Sequence, residues 1–438
     1  MTEHVDHVVV GGGVMGSAAA WHLARRGRQV VLLERFGPGH DHGASHGSSR
    51  IYRTTYPEPV YLDLAQEALT LWRLLEAESG EALLEITGGV SHARPGLPSA
   101  RRTEQVAQAF AARGIPFEWL DPAEASRRWP GLRFEGRVLH ETATAGRLHA
   151  DRAVSVLQRR AAASGADVRH DTPVRHLERV GDRVLVVTQH DELLARRVVV
   201  AVGAWSAGVL AQVLDDERDP RDPSGRARRP GPAADGFLPL VVTQEQPAHF
   251  APRDPAVLDG TAAWPSFTHD PGPQEGFPSG VYGLAAPGEG VKVGFHAVGP
   301  RVDPDRRDRT PEPAQLAALR RYVRSWLPGL DPDVFEPVSC TYTTTPDHDF
   351  VLDRRGPVVV AAGFSGHGFK FAPSVGRVLA DLADLSRRPE AVPPARVASR
   401  DLEVGGVSAG RGSPHPVRPD LARFALARFA ATRTLVAP

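Results

Sequence analysis

The first 36 residues group their apolar positions into a strand, a helix and a second strand. Residues 5–10 are mostly apolar, a glycine-rich turn follows, and residues 17–26 have the spacing of an amphipathic helix that Gly27 would end. The run 30–33 is apolar at every position, as in a parallel strand that is buried on both faces. This order predicts a parallel sheet with a helix packed against it.

Later segments show the same two kinds of pattern. Residues 57–88 and 313–327 have apolar positions at helical spacing, and residues 150–205 indicate a helix followed by strands. Short apolar runs separated by Gly and Pro predict an antiparallel sheet over 237–300. The stretch 356–385 predicts a strand, a glycine loop and a closing helix.

The composition narrows the class of protein. The chain has 438 residues, of which 41% are hydrophobic and 24% are charged, as in ordinary globular proteins. Its formal net charge is +0, so neither a nucleic-acid partner nor an anionic membrane surface is expected. No apolar run reaches the roughly 18 residues that span a bilayer, and we expect a cytoplasmic protein. The single cysteine, Cys340, excludes an internal disulfide and a cysteine-based metal cluster, and no metal site is predicted.

Lysine usage points to two individual positions. Lys292 and Lys370 are the only lysines among 52 basic residues, and the rest are arginines. A compact, strongly hydrated ammonium and a planar guanidinium are not equivalent inside a small site. Both lysines stand in glycine- and histidine-rich stretches rather than on charged helical faces. We therefore predict functional roles for both.

The glycine turn after the first strand carries a dinucleotide-binding pattern. Gly11, Gly13 and Gly16 have the G-x-G-x-x-G spacing, and Glu34 ends the next predicted strand. In such turns the glycines allow a tight turn, approach of backbone N–H groups to a pyrophosphate, and close packing of helix on strand. An acid placed like Glu34 accepts hydrogen bonds from ribose hydroxyls. The pattern predicts a dinucleotide site and leaves FAD and NAD open.

Four further motifs carry a family resemblance. They are GASHGSSRIYR at 43–53, GVKVGFH at 290–296, CTYTTTPDHDFVLD at 340–353 and AAGFSGHGFKF at 361–371. Together with the glycine turn they resemble the monomeric sarcosine oxidase and N-methyltryptophan oxidase family of FAD enzymes, within the D-amino acid oxidase superfamily. The motifs follow in the same order, and the resemblance covers about residues 5–390.

The resemblance implies roles for residues around a flavin. Cys340 matches the cysteine that carries the flavin through its 8α-methyl group, and Lys292 matches the lysine that promotes the reaction with O₂. Arg53 and Lys370 match the pair of cations that holds the substrate carboxylate. Arg50 matches an arginine beside the flavin ring.

Other positions match residues that line the site. His296 and Tyr282 match residues on the substrate side, and His46 a histidine near the flavin. Trp205 and Val174 match residues that contact the dinucleotide. The backbone of the loop at Gly366, His367 and Gly368 is expected to form a nest of N–H groups facing the flavin pyrimidine.

The predicted fold is α/β, a Rossmann-like FAD-binding domain with an interleaved α+β substrate domain built on an antiparallel sheet. Two domains are expected because single cores stop growing at roughly 250–300 residues. The FAD-binding domain is predicted over 1–90, 146–212 and 330–390, and the substrate domain over 91–145 and 237–329. Residues 213–236 are predicted to be an exposed insertion, and 391–438 a C-terminal tail in which 421–435 is a candidate helix.

The resemblance implies an oxidase of sarcosine or other N-methyl amino acids. Hydride would pass from the carbon beside nitrogen to flavin N5, the imine would hydrolyse, and O₂ would become H₂O₂. An oxidase of cyclic imino acids such as pipecolate in natural-product biosynthesis would share every motif. An NAD-dependent dehydrogenase and a non-catalytic FAD-binding subunit are alternatives of other classes. The expected partners are a small amino acid and O₂, and the expected state is a monomer.

Overall fold

The computed structural model describes residues 2–214, 238–260, 263–384 and 421–429. Almost all of the predicted insertion 213–236, and of the predicted tail 391–438 all but 421–429, lie outside these residues. Within the described residues no helix is both long and apolar enough to cross a membrane.

Eight α-helices occur in the described residues. They are α1 (Val14–Arg25), α2 (Pro59–Ser79), α3 (Pro98–Arg113), α4 (Pro122–Arg128), α5 (Ala150–Ala163), α6 (Ser206–Leu214), α7 (Pro313–Trp326) and α8 (Ala372–Ala383).

Twenty-one strands occur in the same part of the chain. They are β1 (Glu3–Val10), β2 (Val30–Leu33), β3 (Arg50–Tyr52), β4 (Leu84–Ile86), β5 (Gly89–Ala93), β6 (Phe117–Leu120), β7 (Val138–Glu141), β8 (Gly146–Leu148), β9 (Asp167–Arg169), β10 (His176–Val180), β11 (Arg183–Val187), β12 (Glu192–Val200), β13 (Val241–Glu245), β14 (Ala248–Pro252), β15 (Ser266–Asp270), β16 (Val281–Ala286), β17 (Gly290–Phe295), β18 (Leu330–Pro337), β19 (Cys340–Thr344), β20 (Val351–Arg355) and β21 (Val358–Ala362).

The first large sheet has a parallel centre. Strands β21, β12, β1, β2 and β9 run parallel side by side, and β10, β11 and β20 add antiparallel edges. Successive side chains of a strand point to opposite faces. Accordingly, Val9 packs into the core formed with α1, α2, α5 and α8, while Val8 and Val10 pack into the core on the α6 side. Burial on both faces explains why the central strands are apolar throughout.

The second large sheet is mainly antiparallel. Its strand order is β18, β14, β17, β16, β15, β5, β7 and β6, and only the pair β15–β5 is parallel. Its core cluster includes Phe250, Trp264 and Tyr322. The sheet therefore joins segments from both predicted domains, because β18 at 330–337 belongs to it; the domain boundaries stay a prediction.

Two small sheets contain residues of the sequence motifs. The pair β13–β19 places Cys340 opposite Glu245 at the start of β19. The sheet β3–β8–β4 places Arg50 opposite Leu148. Both small sheets thus carry residues of the GASHGSSRIYR and CTYTTTPDHDFVLD motifs.

Three sequence expectations need correction. The helix predicted over 57–88 ends at Ser79, because Gly80 adopts the left-handed conformation (φ +73°) that closes a helix, and β4 follows. The sheet predicted over 237–300 is not purely antiparallel, since β15 pairs with β5 in parallel and β13 pairs outside it with β19. The candidate helix at 421–435 begins as a 3-10 turn over Leu421–Phe424 rather than an α-helix.

Candidate active site

A cavity of about 1220 Å³ runs from the glycine turn after β1 to the second large sheet. Its lining includes nearly all the residues singled out from the sequence. They are Gly11, Gly13, Glu34, His46, Arg50, Arg53, Val174, Trp205, Tyr282, Lys292, His296, Cys340, Gly366, His367, Gly368 and Lys370. Gly16 lies behind the turn rather than in the cavity wall.

The glycine turn has the backbone that its sequence predicts. Gly11 has a φ of +101°, and a side chain there would approach the Ala201 carbonyl oxygen to 2.5 Å. A side chain at Gly16 would overlap the Gly11 carbonyl oxygen, so α1 packs on the turn only because this position is glycine. The turn leads directly into the N-terminus of α1 at Val14, a position suited to a phosphate.

Glu34 is a fixed carboxylate just after β2. It accepts hydrogen bonds from the backbone N–H groups of Gly12 (2.7 Å) and Phe36 (2.9 Å), and His40 Nε2 lies 3.3 Å from it. Burial opposes its charge, but His40 and the two N–H groups lower the pKa of this carboxyl below its usual value. A carboxylate has about four lone-pair sites, so it retains capacity for ribose hydroxyls.

A group of cationic and thiol side chains lies where β17, β19 and the 43–53 loop meet. Lys292 is 7% exposed, and burial followed by the Arg50 charge lowers its pKa to about 7. Arg50, Lys292 and Cys340 all line the cavity, and the first and last of them influence the pKa of Lys292. The Arg50 guanidinium donates to the backbone carbonyls of His46 (2.6 Å) and Ser49 (2.8 Å).

His46 adds a neutral imidazole to this group. Burial, followed by the charges of Arg50 and Lys292, lowers its pKa to about 3. Its Nε2 atom is buried without a hydrogen-bond partner among the described residues. The imidazole is thus neutral near pH 7 and lines the cavity.

A second cationic group lies at the 361–371 loop. The Lys370 ammonium donates to the Tyr56 hydroxyl (3.0 Å) and the His367 carbonyl (2.7 Å), and the side chain is 5% exposed. Burial and the Arg53 charge hold the pKa of Lys370 well below its usual value. The Arg53 guanidinium donates to the Thr55 hydroxyl (2.5 Å) and lies 5.5 Å from the centre of the Tyr56 ring.

His296 and Tyr282 belong to the substrate half of the cavity. Burial, then the charges of Arg53, His348 and Lys370, lower the pKa of His296 to about 4, so its imidazole is neutral near pH 7. Burial raises the pKa of Tyr282, and the neighbouring Tyr342 hydroxyl opposes this in part. The structure brings both residues to the cavity wall, while their roles stay predictions.

Among the remaining residues predicted from the sequence, one expectation is only partly met by the structure. The His367 N–H donates to the Phe364 carbonyl (3.0 Å), so the predicted nest of three N–H groups is reduced to Gly366 and Gly368. Trp205 lines the cavity and donates its indole N–H to Asp305 (2.9 Å). Val174 lines the cavity and packs against the core on the α6 side.

Two residues near the second cationic group were not found from the sequence. Tyr56 holds the Lys370 ammonium, and Glu141 is 1% exposed and accepts hydrogen bonds from the Thr54 N–H (2.9 Å), the Thr54 hydroxyl (2.6 Å) and the Thr144 hydroxyl (2.5 Å). Burial raises the pKa of Glu141, although the threonine hydrogen bonds and Arg53 oppose this. Tyr56 follows Arg53 by three residues, which is a usable local signal, whereas Glu141 reaches the site only through β7.

The donor set fits a large dinucleotide such as FAD. The turn at Gly11 leaves no room for side chains, and the Glu34 carboxylate lies beside it, hydrogen-bonded to the Gly12 N–H. Five buried polar atoms of cavity-lining residues lack hydrogen-bond partners among the described residues: His46 Nε2, Ser49 Oγ, Ser99 Oγ, His170 Nδ1 and Thr341 Oγ1. Buried polar groups normally find partners, so these atoms fit a polar ligand. No group of three or more potential metal ligands occurs in the described part of the chain.

Comparison with known proteins shows what the whole chain is similar to. The model of the DAO family, described as FAD dependent oxidoreductase, matches residues 6–382. A monomeric sarcosine oxidase from Bacillus sp. (strain NS-129) is 32% identical over 87% of this chain and 94% of that protein. The peroxisomal sarcosine oxidase of Mus musculus is 33% identical over 87% of this chain and 93% of its own. The structure of NikD, titled an unusual amino acid oxidase essential for nikkomycin biosynthesis, superimposes with a TM-score of 0.72 at 26% identity, covering 89% and 96% of the two chains.

Proposed function

The chain belongs to the DAO family of FAD-dependent oxidoreductases, and we propose that it oxidises secondary amino acids, with sarcosine and other N-methyl amino acids as substrates. The enzyme is an FAD-dependent amine oxidase, which answers the FAD-or-NAD question that the glycine turn leaves open. The relatives do not favour the NAD-dependent, non-catalytic or cyclic imino acid alternatives.

The observation that carries this proposal is the buried ammonium of Lys370. Its hydrogen-bond partners among the described residues are a hydroxyl and a carbonyl, both neutral. A buried cation is costly without a counter-ion in contact with it, and here the Arg53 charge adds to the cost. The Glu141 carboxylate attracts the ammonium, but its effect on the pKa of Lys370 is smaller than the effects of burial and of Arg53. A carboxylate between Lys370 and Arg53 would relieve both cations through charge-assisted hydrogen bonds. The pair therefore fits an amino acid that enters by its carboxylate.

The same cations favour a neutral amine. Positive charge from Arg53 and Lys370 disfavours protonation of a nitrogen bound beside them, and only a neutral amine can release electrons from its adjacent C–H bond. His296 does not add to the charge, since its pKa is about 4. Holding the carboxylate at two points also fixes the direction of that C–H bond.

FAD, when bound, supplies the acceptor for the two electrons and returns them to O₂. Gly11, Gly13, Gly16 and Glu34 would hold its dinucleotide half. Lys292 would stabilise the negative charge that develops on oxygen, because a cation in a site closed to water is weakly screened. H₂O₂ and, after hydrolysis of the imine, a primary amino acid and an aldehyde are the expected products.

Cys340 is proposed to carry the FAD covalently through its 8α-methyl group. It is the chain's single cysteine, it is a free, partly buried thiol, and it lines the cavity beside Lys292. We expect a fluorescent flavin band after denaturing electrophoresis and an intact mass increased by one FAD. Cys340→Ser should abolish the band and leave FAD that denaturation releases. A wild-type chain with an unmodified thiol would refute the link.

The direct test of function is oxygen uptake by the purified enzyme. Sarcosine, N-methylalanine and N-methylphenylalanine should each be consumed with one H₂O₂ formed per O₂, whereas glycine and alanine should react far more slowly. Pipecolate tests the cyclic alternative, and exclusive activity on it would replace the N-methyl assignment. No uptake with any secondary amino acid would contradict the proposed function. The monomeric state, the cytoplasmic location and the domain boundaries stay predictions.

A further inference from the structure

A short C-terminal segment, Leu421–Phe429, packs beside the substrate half of the cavity. Phe424 is 0% exposed, and its ring lies 5.5 Å from that of Tyr61 and 5.8 Å from that of Phe350. The Arg428 guanidinium donates to the Asp347 carboxylate (2.7 Å), and the N–H of Leu426 donates to the Asp353 carboxylate (2.8 Å). The segment is therefore attached by an aromatic anchor and by polar contacts.

Arg423 of this segment lines the cavity itself. Its side chain is 41% exposed, so it lies where the cavity meets solvent. It donates to the Asp349 carboxylate (2.8 Å), and its guanidinium lies 5.5 Å from the centre of the Tyr61 ring. Glu58, which pairs with Arg102 at the same rim, interacts electrostatically with Arg423.

A chain of contacts connects the segment with the carboxylate-binding cations. The Tyr61 hydroxyl donates to the second oxygen of Asp349 (2.9 Å). The Tyr61 ring stacks on that of Tyr56, with centres 5.4 Å apart. Tyr56 in turn accepts the hydrogen bond from Lys370. Arg423, Asp349, Tyr61 and Tyr56 thus form one continuous wall from the rim to Lys370.

We propose that Leu421–Phe429 is an outer wall of the substrate site and that Arg423 is a specificity-determining residue, which limits the side-chain size of the amino acid that binds at Lys370 and Arg53. This role rests on the proposed oxidase function. The family match ends at residue 382, so the wall is contributed from beyond the matched region. A purely structural segment would affect stability but would not distinguish small from bulky ligands.

The test compares Arg423→Ala with a matched arginine. Arg25 has the same two kinds of contact, an ion pair with Glu78 (3.1 Å) and an aromatic ring, Trp21, at 4.9 Å, and its side chain is 35% exposed. Arg25 does not line the cavity. Arg25→Ala therefore controls for the loss of a surface ion pair and of cation–π contact.

Removing the Arg423 side chain should widen the rim. We expect the ratio of kcat/KM for N-methylphenylalanine to that for sarcosine to rise about 5- to 10-fold in Arg423→Ala, the scale on which pocket contacts discriminate side chains. The ratio should stay within about twofold of wild type in Arg25→Ala. An unchanged ratio in Arg423→Ala, or an equal change in both variants, would contradict the proposal that Arg423 limits the size of the substrate side chain.

A binding measurement separates this inference from the proposed function. Dissociation constants of acetate and benzoate, followed by the flavin absorbance of the holoenzyme, need no turnover. Benzoate should gain affinity relative to acetate in Arg423→Ala and not in Arg25→Ala. If no secondary amino acid were oxidised, the proposed function would be wrong, but the ratio of the benzoate and acetate dissociation constants would still test the role of Arg423. The same ratio in Arg423→Ala as in wild type, with or without turnover, would contradict that role.

Discussion

Each of the two lysines is buried at the cavity with a different set of neighbours. Lys370 lies with Arg53 and Tyr56, and Lys292 lies with Arg50 and Cys340. In both cases burial and a neighbouring arginine lower the pKa of the ammonium. A buried ammonium beside an arginine is unfavourable in the ligand-free protein and becomes favourable once an anion or developing negative charge is present. Each lysine can therefore serve as the control for the other.

Lys370→Met should weaken substrate binding. Loss of a charge-assisted hydrogen bond worth roughly 1.5–3 kcal/mol predicts a KM for sarcosine about 10- to 100-fold higher. Thermal stability should be equal to or higher than that of wild type, since a buried cation is replaced by an apolar side chain of similar length. Steady-state kinetics and thermal unfolding check this. Lys292→Met should leave the Kd for sarcosine, taken from the rate of anaerobic flavin reduction, within a few-fold of wild type. Equal effects of both substitutions on this Kd would contradict the separate roles.

Lys292→Met should slow the reaction with O₂ by about 100-fold, the usual scale for loss of one group that stabilises developing charge. The wild-type rate should fall as pH rises through the pKa of Lys292, because its positive charge is present below that pKa and absent above it. The decrease should be centred at or above pH 7, since burial sets the pKa near 7 and reduced flavin would raise it. Stopped-flow mixing of reduced enzyme with oxygenated buffer measures the rate. A pH-independent wild-type rate would argue against this role.

At the residue scale, rare residue types and their motif context identified most candidate site residues from the sequence. Two lysines among arginines, and one cysteine, stand out in the sequence alone. Tyr56 and Glu141 do not, because their importance comes from contacts with Lys370 and Thr54 that only the fold creates. His367 is the opposite case. The sequence predicted that its N–H group faces the flavin, but in the structure this N–H donates to the Phe364 carbonyl.

At the scale of elements, the β1–α1 turn depends on two missing side chains. Gly16→Ala should overlap the Gly11 carbonyl, lower stability by about 1–3 kcal/mol and reduce the FAD content of the purified protein. Gly208→Ala is a matched control, because this helical glycine in α6 has open space around it. It should retain full FAD content and be as stable as wild type or more so by about 0.5–1 kcal/mol. Flavin absorbance per chain and thermal unfolding report both. Full FAD content in Gly16→Ala would refute the role of the turn.

Elements with a strong period were predictable from the sequence. The β1–α1–β2 unit, α7 and the β21–loop–α8 unit all occur where the apolar pattern places them. The end of α2 was missed because the apolar spacing continues past Gly80, although that glycine supplied the correct signal. The parallel pairing of β15 with β5 could not be seen, since the two strands are more than 170 residues apart and pairing direction leaves no local pattern.

At the scale of the whole molecule, two large sheets and the loops between them enclose the cavity. One end is defined by the glycine turn and Glu34, and the other by the cationic pair and the Leu421–Phe429 segment. The motif resemblance predicted the fold, and every site residue that it indicated except Gly16 lines the cavity. It gave no indication of the wall formed by Leu421–Phe429, because this contact joins the distant C-terminal part to α2 and the 347–353 region.

The most direct test of the central claim is anaerobic addition of sarcosine to the purified yellow enzyme, followed by absorbance spectroscopy. The account predicts that the oxidised flavin absorbance will bleach with one sarcosine per flavin and will return when O₂ is admitted. A flavin spectrum that stays oxidised with sarcosine and every other N-methyl amino acid, or a purified chain that contains no flavin, would contradict it.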